Sequence, residues 1–398
     1  MRRTRLLPLL GACVLLTACG SGTRLLHRST NSAVSSPTPV VPSIGFPAAA
    51  TKNTTRVPGS NPIADAAGVA LAVYPSMGPG SHPAVVTIAP TDDWEAAIAS
   101  SVLMGPQLKA PILLSGSSSL PPISATALRT LAPGGSGQLA GAQVIRVGDV
   151  PRVSGVRSQT ISGSGPFALA AKIDQFVSAA EGKPSADVVV ASADSPAYAM
   201  PAAGWAAESG DPILFVTSSG VPAATKQALL SHQSPHIYVL GPPSVIPDSV
   251  LHQLSKLGTV KRVGAGDPGA NSVAFTVYRD PPCPFGQPCA HVPGSFGWAL
   301  RSPGHGYILV NAARTLDAAA AAPLAGSGSY GPILLLDDAA PLPPSVLKYF
   351  LDFATPGFTA EGPTAAVYNH AWMIGDQHAV SLSVQAEVDT LLEAVPQK

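Results

Sequence analysis

Charge is scarce in this chain of 398 residues: 12 % are Asp, Glu, Lys or Arg, and 23 basic side chains are balanced by 23 acidic ones. A net charge of zero provides no positive field to gather phosphate backbones, which excludes nucleic acid as an expected partner. Cysteine is scarce too, with four residues, Cys13, Cys19, Cys283 and Cys289. No Gly-x-Ser-x-Gly pentapeptide occurs, so the strand-to-helix elbow of a serine hydrolase is missing. Beyond the first few residues no apolar run is long enough to cross a bilayer as a helix. What is abundant is apolar and small. Hydrophobic residues make up 46 %, ample for two or three folded cores, and 42 prolines with 38 glycines point to many short turns.

The N-terminus carries the most specific signal. Arg2, Arg3 and Arg5 precede the apolar stretch Leu6 to Leu16, which is followed by Leu16-Thr17-Ala18-Cys19. This resembles the lipobox of bacterial lipoproteins. The resemblance implies that residues 1–18 are a signal peptide, that Cys19 becomes the acylated first residue, and that the mature protein is held by lipid on the outer face of the cell membrane. Residues 19–58 are rich in Ser, Thr, Pro and Ala without periodicity, as expected of a flexible tether.

The remainder is organised by repetition. One short apolar strand, entered through proline, occurs three times, as "APILLSG" from Ala110, "DPILFVT" from Asp211 and "GPILLLD" from Gly331. Each is preceded by an apolar strand (Ala84–Ile88, Asp187–Ala191, Gly306–Val310) and an alanine-rich helix that ends at glycine. Each is followed by a helix with a Pro-rich start and a third strand that closes on Gly148, Gly241 or Gly375. A small-residue helix opens each unit. Alternating strands and helices predict βαβ units, hence an α/β fold of three tandem, doubly wound modules with small parallel sheets. Their predicted ranges are 59–150, 151–262 and 263–398, the last lengthened by an insertion over 281–304. The uninterrupted apolarity of the PIL strands predicts a place at the sheet centre, buried on both faces.

In this order of elements the chain resembles the cell wall-binding repeat type 2 family. The third copy carries it best, with Asp317-Ala318-Ala319, Pro332-Ile333-Leu334-Leu335 and "WMIGDQHAVS" from Trp372. The second supplies "PILF", "IYVLGPPSVIPDSV" and "KRVGAGDPGANSVA" from Lys261. Departures from the family pattern include Glu95 and Tyr198 near the place of the helix-opening Asp317, and Pro268 where Asp267 is normally followed by Arg. The resemblance implies three modules about a pseudo-threefold axis, a monomer with an internal pseudo-trimer, that bind an anionic or peptidoglycan-linked wall polymer without catalysis. Arg146, Lys261 and Arg262, at strand ends, are the candidate phosphate-facing groups.

Other chemistry-bearing patterns are weaker. Gly264-Ala265-Gly266-Asp267-Pro268-Gly269 is a formal G-x-G-x-x-G, yet no acidic residue follows at the distance a ribose would require. The pairs Asp92-Asp93 and Asp337-Asp338 lie near strand ends, where helix capping competes with metal or glycosidase roles. Cys283 and Cys289 bracket a Pro/Gly turn in "CPFGQPC"; outside the cytoplasm a local disulfide is the simplest reading, while a metal site would need ligands beyond His291. Together the two resemblances imply a non-catalytic, lipid-anchored wall-binding protein of the cell envelope that needs no cofactor. The alternative is an extracytoplasmic solute-binding lipoprotein that holds a small ligand between α/β lobes.

Overall fold

The computed structural model describes residues 49–78, 80–282, 295–327, 331–358, 367–393 and 395–396, all within one compact unit, Pro42–Lys398. The signal peptide, Cys19, Cys283 and Cys289 lie outside the described residues.

The described chain begins with a hairpin, β1 (Ala49–Ala50) antiparallel to β2 (Thr54–Val57), and continues into α1 (Pro62–Val73). Residues 49–57 of the tether expected over 19–58 are therefore part of the folded body. Alternation places Arg56 and Thr54 in buried positions of β2, and a segment that buries its side chains is no longer a solvated linker.

The first module follows as β3 (Val86–Pro90), α2 (Trp94–Ala99) with a 3-10 turn over Ser100–Met104, β4 (Ile112–Ser115), α3 (Pro122–Leu131), β5 (Val144–Val147) and β6 (Ser158–Ile161). After α4 (Pro166–Glu181), the second has β7 (Asp187–Ser192), α5 (Pro196–Ser209), β8 (Ile213–Val216), α6 (Ala223–Ser231), β9 (His236–Leu240), α7 (Asp248–Leu254) and β10 (Thr259–Val263). After α8 (Pro268–Val277), the third has β11 (Gly306–Asn311), α9 (Leu316–Ala325), β12 (Ile333–Leu336), α10 (Pro344–Tyr349), β13 (Gly357–Phe358), β14 (His370–Ile374), α11 (Leu382–Leu391) and β15 (Val395–Pro396), with β13 and β15 paired to each other.

The three main sheets share one topology. Their orders are β4-β3-β5-β6, β8-β7-β9-β10 and β12-β11-β14-β2-β1, and every pairing except β1–β2 is parallel. The fourth strand of the third sheet is β2, from the N-terminal end of the described chain, so the last module is completed by the first segment and the ring of modules closes. The same topology puts β6 in the first sheet, although the sequence boundary at 150 assigns it to the second module. Each fourth strand and the helix after it form an arm that links one module to the next: α1 packs on α9 and β4, α4 on α2 and β8, and α8 on α5 and β12.

The PIL strands are edge strands, not central ones; the centre of each sheet is held by β3, β7 or β11 with its third-strand neighbour. Apolarity alone did not distinguish the two places because the edges are covered. The arm helices lie over them, and hydroxyls take up outward-facing backbone groups: Ser124 Oγ donates to the Leu114 carbonyl (2.8 Å), Thr225 Oγ1 to the Phe215 carbonyl (2.7 Å), and the Leu335 N–H donates to Ser272 Oγ (3.1 Å). An edge whose polar groups are satisfied and whose faces are packed reads like a sheet centre.

Helices α2, α5 and α9 meet at the middle of the ring, where alanines allow close approach. Their closing glycines come together: a Cβ on Gly326 would lie 2.3 Å from the Ala207 carbonyl oxygen, and one on Gly105 would lie 3.0 Å from Gly210 Cα. The stem of the insertion is fixed to this core. Asp280 and Phe296 form an antiparallel bridge, Phe296 stacks on Tyr238 at 3.5 Å, and Trp205 packs edge-on against Phe296 and Trp298.

Candidate functional site

In a parallel α/β sheet the carboxyl ends of the strands open onto the loops that bind ligands, and each sheet here presents such a crevice. Equivalent positions follow from the backbone, because Thr91, Ala193 and Ala312 each donate to the last PIL-strand carbonyl of their own sheet. Five residues later stand Ala96, Tyr198 and Asp317, in the first turns of α2, α5 and α9. Tyr198 and Asp317 are thus equivalent, whereas Glu95 is one residue out of register with them. One wall of each crevice is the glycine that closes the third strand, with φ of 67° at Gly148, 134° at Gly241 and 96° at Gly375, a range that L side chains rarely adopt.

The third crevice is filled by charge. Arg314 donates from Nη2 to Asp65 (2.6 Å) and from Nε to Asp317 (2.5 Å), and its guanidinium lies against Gly375. Asp65 also accepts the Gly59 N–H (2.9 Å). Both carboxylates are fully buried. Burial raises the Asp65 carboxyl above the usual carboxylate range, with Asp317 adding to the rise and Arg314 opposing it; burial raises Asp317 likewise, against the pull of Arg314. Two carboxylates sharing one guanidinium form a structural cluster in which each of the four carboxylate oxygens accepts a hydrogen bond.

In the second crevice Tyr198 spans the gap and its hydroxyl donates to the Gly266 carbonyl at 3.0 Å. The formal glycine motif lies here, and the chain's own groups use it: Asp267 caps α8 by accepting the Ala270 N–H (2.7 Å), while Tyr198 takes the Gly266 carbonyl. The turn has the form of a helix cap rather than a pyrophosphate cradle.

In the first module Ala96 is fully buried, and the side chain that lies against Gly148 is Leu169 of α4. A cleft of about 250 Å³ remains, lined by Asp92, Asp93, Gly148, Asp149, Ser162 and Gly163 with neighbouring backbone. Asp93 caps α2 through the Ala96 N–H (2.8 Å), which accounts for one member of the acidic pair. Asp338 accepts the N–H of Ala339 (2.7 Å) in a turn after β12. Among the described residues no group of His, Cys, Asp and Glu is arranged to hold a metal ion.

The three basic candidates are all engaged within the chain. Arg262, on β10, donates to the Gly241 carbonyl (2.7 Å), the Ile246 carbonyl (2.8 Å) and Asp248 (2.9 Å). Lys261 pairs with Asp280 at 2.5 Å. Arg146, nearly buried on β5, donates to the Val150 and Pro151 carbonyls and to Thr160 Oγ1 (3.0 Å). A further clamp escaped the sequence reading: Arg56, on β2, holds the Gly375 and Asp376 carbonyls (both 2.9 Å) and Gln385. In register Arg56 faces Met373, Arg262 faces Val239 and Thr160 faces Arg146, each partner lying two residues before the closing glycine. Every module thus clamps the loop after its third strand with one arginine, which the first module carries on β5 instead of on the fourth strand. "RVPGSN" at Arg56 parallels "RVGAGD" at Arg262, and this signal was available in the sequence within the segment assigned to the tether.

With the modules and their clamps in place, the fold can be compared with known proteins. Residues 160–251 match the model of the family described as Cell wall binding domain 2. That stretch runs from the end of the first sheet into α7, taking in most of the second module. Two solved structures share the fold: Cwp8 from Clostridium difficile, at 17 % identity and a TM-score of 0.62, and Cwp6 from Clostridium difficile, at 16 % and 0.64. Each similarity covers 86 % of this chain but only 52 % of Cwp8 and 48 % of Cwp6, so the chain spans about half the length of those it matches. No curated protein sequence matches the chain.

Proposed function

We propose that this chain is a non-catalytic protein of the bacterial cell envelope that binds a cell wall polymer through its three-module body and is tethered to the membrane by lipid on Cys19. The observation that carries the reading is the Cell wall binding domain 2 match at residues 160–251, set within a chain whose same strand order occurs three times. The solute-receptor alternative is disfavoured by architecture: three equivalent modules closed into a ring offer no pair of lobes to shut on a small ligand. Two attachments, the lipid on Cys19 and a wall contact, would act together on the same chain.

The test is fractionation of cells that express Cys19→Ala. The expected result is loss of the protein from the membrane fraction with a substantial part retained on the wall. Complete release into the medium would contradict wall binding, and unchanged membrane association would contradict the lipid.

A further inference from the structure

We propose that the outer face of the first module is a docking site for an amphipathic α-helix of another protein, one that carries acidic residues beside its apolar stripe. It is a partner surface in addition to the wall contact, and it lies at the place that α7 and α11 occupy in the other two modules.

The three modules differ in one element. Between its third and fourth strands the second module has α7, and α11 follows the third strand of the last. Residues 148–157, between β5 and β6, form no helix. Their Val150 turns into the core, while Val153 and Val156 stay half-buried and, with Leu120 and Leu128, wall a groove of about 370 Å³. That groove stands where a helix packs elsewhere. Helices α3, α6 and α10 begin at Pro122, Ala223 and Pro344, which aligns Leu120 with Val221 and Leu128–Ala132 with Phe350–Ala354. The Val221 N–H donates to Gln253 of α7 (3.2 Å), and α11 packs against the π-helical turn Phe350–Ala354 that continues α10. Thr355, the counterpart of Pro133 in the groove, donates from Oγ1 to the Leu391 carbonyl at the end of α11 (3.0 Å). The clamp arginines extend the same contact, since Arg262 donates to Asp248 of α7 and Arg56 to Gln385 of α11 (both 2.9 Å).

Pattern and charge select the occupant. The helices that fill this place in the other modules bury Val250 and Leu254, or Val384 and Val388, so the groove suits a helix with apolar side chains at that i, i+4 spacing. Its rim is basic. Arg129 lines the groove, Arg152 and Arg157 adjoin Val153 and Val156 in sequence, and all three are exposed; Asp149 is the one acid on the same loop. A helix with acidic flanks complements that rim. The chain's own tether does not, because residues 20–48 contain Arg24 and Arg28 and no Asp or Glu. Helices α7 and α11 already bury their apolar faces in their own modules, so a second copy has neither to offer and the occupant is a different protein.

The experiment follows the fluorescence anisotropy of a labelled peptide of residues 380–394 titrated with the chain from residue 20 onward. This segment contains α11, carries Glu387, Asp389 and Glu393 with no basic residue, and is kept helical by a hydrocarbon staple between positions 386 and 390, both exposed in the folded protein. The expected result is saturable binding that weakens severalfold when salt is raised from about 0.05 to about 0.5 M, because the rim charges are screened. Arg129→Glu, at an exposed position, and Val153→Asp, in the groove wall, are each expected to weaken it by about tenfold, whereas Arg129→Lys preserves it. Thermal melts establish that the variants fold; Arg129→Glu alone decides if Val153→Asp does not. Absence of binding, or binding that the folded variants retain in full, would overturn the proposal. So would a dimer of the unaltered chain that Val153→Asp dissociates, since a second copy would then fill the groove. Retention of the same variants on purified walls is expected to be unchanged, and a failure of peptide binding leaves the wall-binding reading intact.

Discussion

At the scale of single residues, the second module contains an ion pair whose protonation state is dictated by geometry. His232 Nδ1 lies 2.7 Å from the Ser185 carbonyl, and Nε2 lies 2.9 Å from one Asp174 oxygen and 3.0 Å from the other. Both ring nitrogens face acceptors that cannot donate, so both carry protons and the ring is an imidazolium. Burial opposes that charge, but Asp174 and the Ser185 carbonyl prevail, and the pKa is raised above its ordinary value. A raised histidine pKa contributes stability that is complete below the unfolded value of about 6.5 and is lost as pH rises through the folded one. His232→Ala is therefore expected to cost about 3–5 kcal/mol at pH 6 by leaving Asp174 buried without its partner. Denaturation of the variant should depend less on pH between 6 and 9 than that of the unaltered protein. An equal loss at both ends of that range would mean the ring is neutral. Sequence reasoning had no access to this pair, since Asp174 lies on α4 and His232 just beyond the end of α6, and each resembles an ordinary surface residue.

At the scale of elements, the helices that meet at the ring centre depend on their terminal glycines. A Cβ at Gly326 would sit 2.3 Å from the Ala207 carbonyl oxygen, a backbone atom that cannot rotate away. Gly326→Ala should then push α9 from α5 and cost about 1–3 kcal/mol by overpacking, read as a lower midpoint in denaturant with the slope unchanged. An unaltered midpoint would show that the helices yield without cost. The order of strands and helices was legible in the sequence because proline, glycine and alanine mark their ends and faces. The place of the PIL strands was not. A run of Ile and Leu records burial and not pairing, and only the arm helices and the hydroxyls of Ser124, Thr225 and Ser272 explain why an edge is so apolar. The basic candidates show a related ambiguity: an arginine at a strand end is equally useful for holding backbone carbonyls, and Arg56, Arg146 and Arg262 all do so.

At the scale of the whole molecule, the ring closes because β2 enters the sheet of the last module and Arg56 clamps its loop. Three copies of one unit then share a core in which each arm helix serves two neighbours. Such sharing frees individual crevices to diverge, and they have: one is occupied by an ion cluster, one by a tyrosine, and one holds Leu169 beside a cleft of about 250 Å³. The repetition itself was legible from the sequence, while this division of roles was not, because it turns on which side chain lies beside each closing glycine, and Leu169, Tyr198 and Arg314 come from different places in the repeat. The central claim is that this body holds to the cell wall without help from lipid. It is tested most directly by equilibrium sedimentation of the chain from residue 20 onward with purified walls. The account predicts saturable co-sedimentation, displaced by solubilised wall polysaccharide; a chain that stays in the supernatant at every wall concentration would contradict it.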